Sequence, residues 1–147
     1  MNFIGIDYGE KRIGLSFGDD ELRIAVPFKP ILYTDPMDAL SILTSLITER
    51  KIDRVIVGYP INMDDSIGFK AMEVNGFVAK LKKMIDVPVE YMDERLTSVQ
   101  ALEDLGHMAR GRSVKSRLEN RHSGAIDSAA AAIILQDYLD LLESREL

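Results

Sequence analysis

Three acidic residues stand where distant parts of a fold commonly meet. Asp7 follows a short apolar run, Glu94 follows another, and Asp127 opens an apolar helical pattern. In an open α/β sheet, strand ends and neighbouring helix starts converge on one crevice. Clustered carboxylates repel one another, so such a site needs raised pKa values or bound cations, and hard oxygen ligands select Mg²⁺ or Mn²⁺. Two such ions would orient a water molecule and stabilise the leaving oxygen during phosphodiester hydrolysis.

Each of these acids also has a purely structural interpretation, and the residues alone leave the choice open. Asp7 precedes Tyr8-Gly9 and could form a turn, while an acid in the first turn of a helix, such as Asp127, is stabilised by the helix dipole. Asp93 competes with Glu94 for the role of ligand, and either could simply pair with Arg95.

The hydrophobic pattern predicts the elements that must position these residues. Apolar runs and period-two alternation predict strands, whereas apolar residues at helical spacing predict helices. The order is three strands, helix, strand, helix, strand, helix, helix, which predicts an α/β fold, a mixed sheet with helices on both faces. The strands cover about residues 3–6, 13–18, 22–28, 54–57 and 87–92, and the helices begin near Pro36, Ile67, Thr97 and Ala125.

Composition narrows the class of protein. The chain has 147 residues, which fits one domain over residues 1–147, and it has no cysteine, so we expect neither disulfides nor a thiolate metal site. No apolar run approaches the roughly 20 residues of a membrane span, so we expect a cytoplasmic protein without membrane partners. The formal net charge is -6, so contact with nucleic acid would need a local basic surface.

One segment could provide that surface. About residues 109–123 lack apolar periodicity, and we predict that they form a mobile basic loop. Phosphate contacts from this loop would make binding to nucleic acid fall steeply with salt. A solvated loop without a ligand is the alternative. The basic residues are Arg110, Arg112, Lys115, Arg117 and Arg121.

Four motifs, in order along almost the whole chain, resemble the YqgF/RuvX family. They are Asp7-Tyr8-Gly9-Glu10-Lys11-Arg12-Ile13-Gly14, Gly58-Tyr59-Pro60 with Gly68 and Ala71, Asp93-Glu94-Arg95-Leu96-Thr97-Ser98, and Ile126-Asp127-Ser128-Ala129-Ala130 continuing to Ile134-Leu135-Gln136. Members of this family are described as bacterial pre-16S rRNA nucleases and as Holliday junction resolvases.

The resemblance implies a ribonuclease H-like fold related to RuvC resolvases. It also implies that Asp7, Glu94 and Asp127 are the catalytic and metal-binding acids. Lys11, Arg12 and Arg95 match the family pattern as well, and their cations could contact phosphates or hold the carboxylates in place.

These observations predict a metal-dependent endonuclease that uses Mg²⁺ or Mn²⁺, with two ions expected. Its expected role is processing of the 5′ end of pre-16S rRNA during ribosome biogenesis. One alternative is a resolvase acting on branched DNA, and another is a non-catalytic ribosome-assembly or nucleic-acid-binding factor. Structured precursor rRNA, branched DNA and ribosomal particles are therefore the expected partners, for a monomer or a homodimer.

Overall fold

The structure is a computed structural model that describes residues 1–60, 68–93 and 114–146, with residues 114–127 and 146 described by their backbone alone. These residues form five strands and three helices. In chain order they are β1 (Asn2–Tyr8), β2 (Arg12–Asp19), β3 (Val26–Leu32), α1 (Pro36–Glu49), β4 (Arg54–Tyr59), α2 (Phe69–Lys82), β5 (Val89–Asp93) and α3 (Val114–Glu146). Among them, no helix is long and apolar enough to cross a membrane.

The five strands form one mixed sheet in the order β3-β2-β1-β4-β5. β1, β2 and β3 make an antiparallel meander, whereas β1, β4 and β5 are parallel. The carboxyl ends of the three parallel strands therefore lie along one edge of the sheet. Asp7 is the next-to-last residue of β1, and Asp93 is the last residue of β5.

The sheet separates two apolar cores, which confirms the prediction of helices on both faces. Ile4 and Ile6 of β1 pack with α1 and α2 in the larger core. Phe3 and Ile56 pack with α3 in the smaller core on the opposite face. Because successive strand residues point to opposite faces, Asp7 belongs to the same face as Phe3, the face covered by α3.

The start of α1 follows the sequence prediction closely. Asp35 has extended backbone dihedrals, its side chain accepts a hydrogen bond from the backbone N–H of Met37 at 3.0 Å, and Pro36 opens the helix. The side-chain oxygen thus satisfies one of the amides that a helix leaves unpaired at its start, and proline loses no bond there. Leu40, Leu43 and Ile47 are buried, as their spacing predicts.

The predicted bounds of β3 were wrong, because a turn occupies the start of the predicted strand. The side chain of Asp19 accepts hydrogen bonds from the backbone N–H groups of Glu21 and Leu22, at 2.9 and 2.7 Å. Arg23 then adopts a positive φ of 56°. An aspartate that bonds the following amides forms a turn, so the strand begins only at Val26 and runs to Leu32.

The prediction of a basic loop over residues 109–123 was wrong from Val114 onward, because α3 begins there and not at Ala125. Residues 114–124 contain the strong helix formers Lys, Arg, Leu and Glu and no proline, so this largely polar segment can continue a helix that is anchored farther along, although it also contains Gly124. Lack of apolar periodicity therefore does not distinguish a loop from a helix extension. Residues 109–113, and the helix predicted to begin near Thr97, lie outside the described residues.

Candidate active site

Asp7 lies at the carboxyl end of β1 and is half-buried. Its partner across the antiparallel ladder is Gly14 of β2, which has no side chain. Strand alternation thus directs the Asp7 carboxylate to the α3 face, beside a residue of the neighbouring strand that has no side chain.

The helix α3 approaches β1 unusually closely at Gly5. A Cβ atom on Gly5 would lie 2.8 Å from the Cβ of Leu135 and 2.9 Å from the carbonyl oxygen of Ala131. Real Cβ atoms almost never approach other atoms so closely, so this contact requires glycine. Two residues earlier on the same face, the ring of Phe3 contacts that of Tyr138 edge-on, with centroids 5.7 Å apart. The helix therefore runs antiparallel to β1.

Two buried serines bond α3 to the sheet. The hydroxyl of Ser16, which lies opposite Gly5 in the β1–β2 ladder, donates to the carbonyl oxygen of Ala131 at 2.7 Å. The hydroxyl of Ser128 donates to the carbonyl oxygen of Phe28 in β3 at 2.5 Å. Asp127 directly precedes Ser128, and its backbone is helical. The helix is thus hydrogen-bonded to the sheet at Ser128, the residue directly after Asp127.

At the carboxyl end of β5, two neighbouring side chains point to opposite faces of the sheet. Met92 is buried in the core under α3. Asp93 follows it and lies opposite Tyr59 in the parallel ladder, so strand alternation directs Asp93 to the α1/α2 face, away from Asp7. Glu94 lies outside the described residues.

The turn after Asp7 is held from the end of β3. The hydroxyl of Tyr33 donates to the carbonyl oxygen of Gly9 at 2.5 Å, and its backbone N–H donates to the carbonyl oxygen of Lys11 at 3.1 Å. A Cβ on Gly9 would lie 2.6 Å from the carbonyl oxygen of Arg12. Burial is the main cause that raises the pKa of Tyr33 above its usual value, so the phenol stays protonated and continues to donate.

The predicted basic residues divide into three groups. Lys11 is exposed in the β1–β2 turn, and Arg12 begins β2 in a half-buried position. Of the others, Lys115, Arg117 and Arg121 lie in the first turns of α3, described by their backbone, and Arg95, Arg110 and Arg112 lie outside the described residues.

Sequence reasoning missed Gly5, Ser16, Ser128 and Tyr33 as residues that build this site. Gly5 gave a usable signal, because a glycine inside an apolar strand often marks a close approach of another backbone. Ser16 and Ser128 gave little signal, since a single serine in an apolar segment does not reveal its hydrogen-bond partner.

Carboxylate oxygens at this edge have the chemistry that Mg²⁺ and Mn²⁺ prefer. Among the side chains that the structure describes, no group of three or more His, Cys, Asp or Glu residues is close enough to hold a metal ion. Asp7 is the one member of the predicted triad whose side chain falls within that portion of the chain.

Comparison with known proteins adds a family and a fold. Residues 1–141 match the model of the RuvX family, described as Holliday junction resolvase. A protein of Opitutus terrae is 41% identical over 141 residues, covering 95% of this chain and 92% of that protein. A protein of Pelagibacter ubique is 40% identical over 146 residues, covering 98% and 91%. Both carry the name "Putative pre-16S rRNA nuclease".

Two similar solved structures are resolvases in complex with a Holliday junction. RuvC of T. thermophilus, in complex with a Holliday junction substrate, aligns with a TM-score of 0.60 at 17% identity, covering 98% of this chain and 96% of RuvC. Fowlpox virus resolvase, bound to Holliday junction DNA, aligns with a TM-score of 0.56 at 14% identity, covering 97% and 99%. At these identities the likeness shows the fold, which is the ribonuclease H-like fold predicted from the sequence.

Proposed function

Because this chain belongs to the RuvX family, we propose that it is a metal-dependent endonuclease that processes the 5′ end of pre-16S rRNA. Asp7, Glu94 and Asp127 are its catalytic carboxylates and bind Mg²⁺ or Mn²⁺, with two ions expected. The observation that carries this proposal is the antiparallel packing of α3 on the face of β1 from which Asp7 emerges.

That packing favours proximity of Asp7 and Asp127. Along β1, Phe3 meets Tyr138, and Gly5 meets Leu135 and Ala131. The next residue on the same face of β1 is Asp7, about 6.6 Å farther along the strand. An equal distance along α3 is about four residues, or one turn. One turn before Ala131 is position 127, so the observed series of contacts leads to Asp127 when it is extended by one step.

Strand alternation favours Glu94 over Asp93 as the third acid. Met92 packs on the α3 face, and Asp93 is directed to the other face. An extended residue after Asp93 would return to the face of Met92 and Asp7. The proposal therefore assigns the role to Glu94.

In this proposal, hydrolysis depends on three acids that lie together at the carboxyl-end edge of the sheet. Divalent cations, when bound, supply positive charge that activates water and stabilises a leaving oxygen. Asp7, Glu94 and Asp127 would hold these cations, whose positive charge would offset the repulsion between the acids and the scissile phosphate. Half-burial of Asp7 limits solvent screening of these charges, which strengthens the dependence on cations.

Basic side chains supply the contacts to substrate in this proposal. Lys11 and Arg12 lie four and five residues after Asp7, at the end of the β1–β2 turn and the start of β2, and the proposal assigns their charges to the substrate. The proposal assigns the basic residues in the first turns of α3, and those that precede α3 in the sequence, to further contacts with the substrate. The proposed contact residues are Lys11, Arg12, Arg95, Arg110, Arg112, Lys115, Arg117 and Arg121.

Precursor rRNA is the favoured substrate because two relatives about 40% identical to this chain carry the name "Putative pre-16S rRNA nuclease". The alignments cover more than nine tenths of each relative. Branched DNA is the second candidate, favoured by the description of the family model and by the junction-bound structures with the same fold. The proposal places the rRNA reaction in the cytoplasm, on ribosomal precursor particles.

The test compares cleavage of structured pre-16S rRNA and of a four-way DNA junction in the presence of Mn²⁺ or a chelator. We expect Mn²⁺-dependent cleavage of the rRNA, and loss of cleavage with retained binding in Asp7→Asn. Asp86→Asn, which changes an exposed carboxylate at the opposite edge of the sheet, serves as the matched control and should cleave normally.

Each other outcome identifies a different function. Preferential cleavage of the junction would favour the resolvase, and a two-fold dimer would then be expected. Salt-sensitive binding without cleavage in the wild type would favour a non-catalytic binding factor. Cleavage that survives Asp7→Asn would refute the assigned site.

A further inference from the structure

Apart from tyrosines, Ser16 and Ser128 are the only buried polar side chains among those that the structure describes, with 0% and 3% of their surfaces exposed. Both lie at the interface between the sheet and α3, and both donate to main-chain carbonyl oxygens across it. A buried hydroxyl costs free energy unless it is hydrogen-bonded, and alanine could occupy either position without that cost. The two serines therefore do more than fill space.

Small side chains form the part of α3 that follows Ser128. Residues 129–132 are four successive alanines, and Ala131 is fully buried against the sheet. Small side chains permit the close approach at Gly5, but they offer few projections that would resist sliding or rotation of the helix. A slip of one residue moves a helix by about 1.5 Å and turns it by about 100°. Directional hydrogen bonds resist such a slip.

The two bonds attach α3 to two different strands. Ser16 is a residue of β2 that bonds to the helix backbone, whereas Ser128 is a residue of the helix that bonds to the backbone of β3. Farther along, Arg54 of β4 donates to the hydroxyl of Tyr138 at 2.7 Å. The serine bonds thus hold the turns of α3 that follow Asp127 directly, and the Arg54 bond holds the same helix about three turns after Asp127.

We infer that Ser16 and Ser128 are positioning residues that hold α3 at a fixed register on the sheet, so that residue 127 remains opposite Asp7. The catalytic consequence of this inference rests on the proposed function, while the structural consequence does not. Neither serine needs to contact substrate or metal. Their effect is exerted through the backbone of α3.

The experiment removes one or both hydroxyls and measures two independent properties. The variants are Ser16→Ala, Ser128→Ala and the double variant, compared at a temperature at which all remain folded. The first readout is amide hydrogen exchange of residues 128–135 relative to that of α1, without metal. The second is the Mn²⁺ dependence of rRNA cleavage, with kcat and KM measured separately.

We expect the double variant to exchange the amides of residues 128–135 at least about tenfold faster relative to α1, since local opening costs less free energy there. The Mn²⁺ concentration for half-maximal cleavage should rise by about tenfold and kcat should fall by about 10- to 100-fold, the range seen when supports of a metal site are lost. KM should stay within about twofold, because substrate contacts are unchanged.

Val78→Ala is the matched control. Val78 is buried in the core on the opposite face, so its truncation destabilises the fold without touching α3. It should leave both the exchange ratio and the Mn²⁺ dependence unchanged. A double serine variant that behaves like Val78→Ala would overturn the inference.

The two readouts separate failure of this inference from failure of the proposed function. If the wild type shows no metal-dependent cleavage, the proposed nuclease fails, and the exchange ratio still decides whether the serines hold α3. If exchange increases in the double variant while Mn²⁺ dependence and kcat stay at wild-type values, the serines hold the helix but do not position Asp127, and the inference is refuted.

Discussion

Asp93 lies opposite Tyr59 at the end of the parallel ladder between β4 and β5, while its neighbour Met92 is buried under α3. Two adjacent acids of the sequence are thereby distinguished, because alternation sends Asp93 to the face opposite Asp7. We predict that Asp93→Asn retains kcat within about threefold of the wild type. Glu94→Gln should lower kcat by roughly 10²–10³-fold, the scale of one lost electrostatic contact at a reacting group.

Single-turnover cleavage with Mn²⁺ checks this prediction, with circular dichroism to confirm that both variants fold. Equal losses in the two variants would mean that both acids serve the site. A larger loss in Asp93→Asn would reverse the assignment.

Gly5→Ala should destabilise the protein. The added Cβ would meet the Ser16 hydroxyl oxygen and the Ala131 carbonyl oxygen, the latter at 2.9 Å. Overpacking of this kind costs about 1–3 kcal/mol in the free energy of unfolding. Urea denaturation measures the change. The variant Gly76→Ala is the control, because a Cβ added there would meet no atom of another element within 4 Å. It should stabilise the protein by up to about 1 kcal/mol, since alanine favours a helix more than glycine does. Stability of Gly5→Ala equal to the wild type would contradict the close packing of α3 on β1.

Tyr33→Phe should change how stability depends on alkaline pH. Burial raises the pKa of Tyr33 above its ordinary value of 10.0, so the folded state favours the neutral phenol. The unfolded chain then loses this proton at lower pH than the folded protein does. The contribution of Tyr33 is therefore fully present below about pH 10 and is lost as the pH rises further.

The free energy of unfolding of the wild type should accordingly decrease above about pH 10, and the decrease should be shallower in Tyr33→Phe. At pH 7 the variant should be about 1 kcal/mol less stable, because the hydrogen bond to the Gly9 carbonyl is lost. Urea denaturation between pH 7 and pH 11.5 measures both effects. Parallel curves above pH 10 would show that Tyr33 does not titrate as its burial requires.

Removing the two arginines at positions 117 and 121 should weaken binding to nucleic acid in a salt-dependent manner. Each phosphate contact adds about 0.7–0.9 to the slope of log K against log salt concentration. Arg117→Gln/Arg121→Gln should therefore make that slope shallower by about 1.5. The control Lys82→Gln/Lys83→Gln removes the same charge at the end of α2, on exposed residues at the other edge of the sheet. Equal changes in the two double variants would indicate a general effect of charge.

Much of the fold was predictable because its strands are apolar runs and its first helices have clear spacing. The cap formed by Asp35 and Pro36, and the buried stripe of Leu40 and Leu43, depend only on local chemistry. The start of α3 was not predictable, since a polar helix extension has no apolar periodicity to reveal it. The start of β3 was missed because the bonds of Asp19 to the following amides compete with the strand.

For the candidate site, the sequence predicts three acids, and the structure adds supporting residues that the sequence did not predict. Asp7 could be recognised from its position at a strand end and from the family motifs. Ser128 could not, because its role depends on a bond to Phe28, which is 100 residues away in the chain. Contacts of this kind depend on how two elements pack, and neither element shows them alone.

The most direct measurement is an anomalous diffraction map of crystals soaked with Mn²⁺, recorded for the wild type and for Asp7→Asn. We predict two Mn²⁺ peaks in the wild type, both within coordination distance of carboxylate oxygens from Asp7, Glu94 and Asp127, and loss of at least one peak in the variant. A wild-type map with these three carboxylates far apart, or with Mn²⁺ bound only elsewhere, would contradict the central claim that they form one metal site.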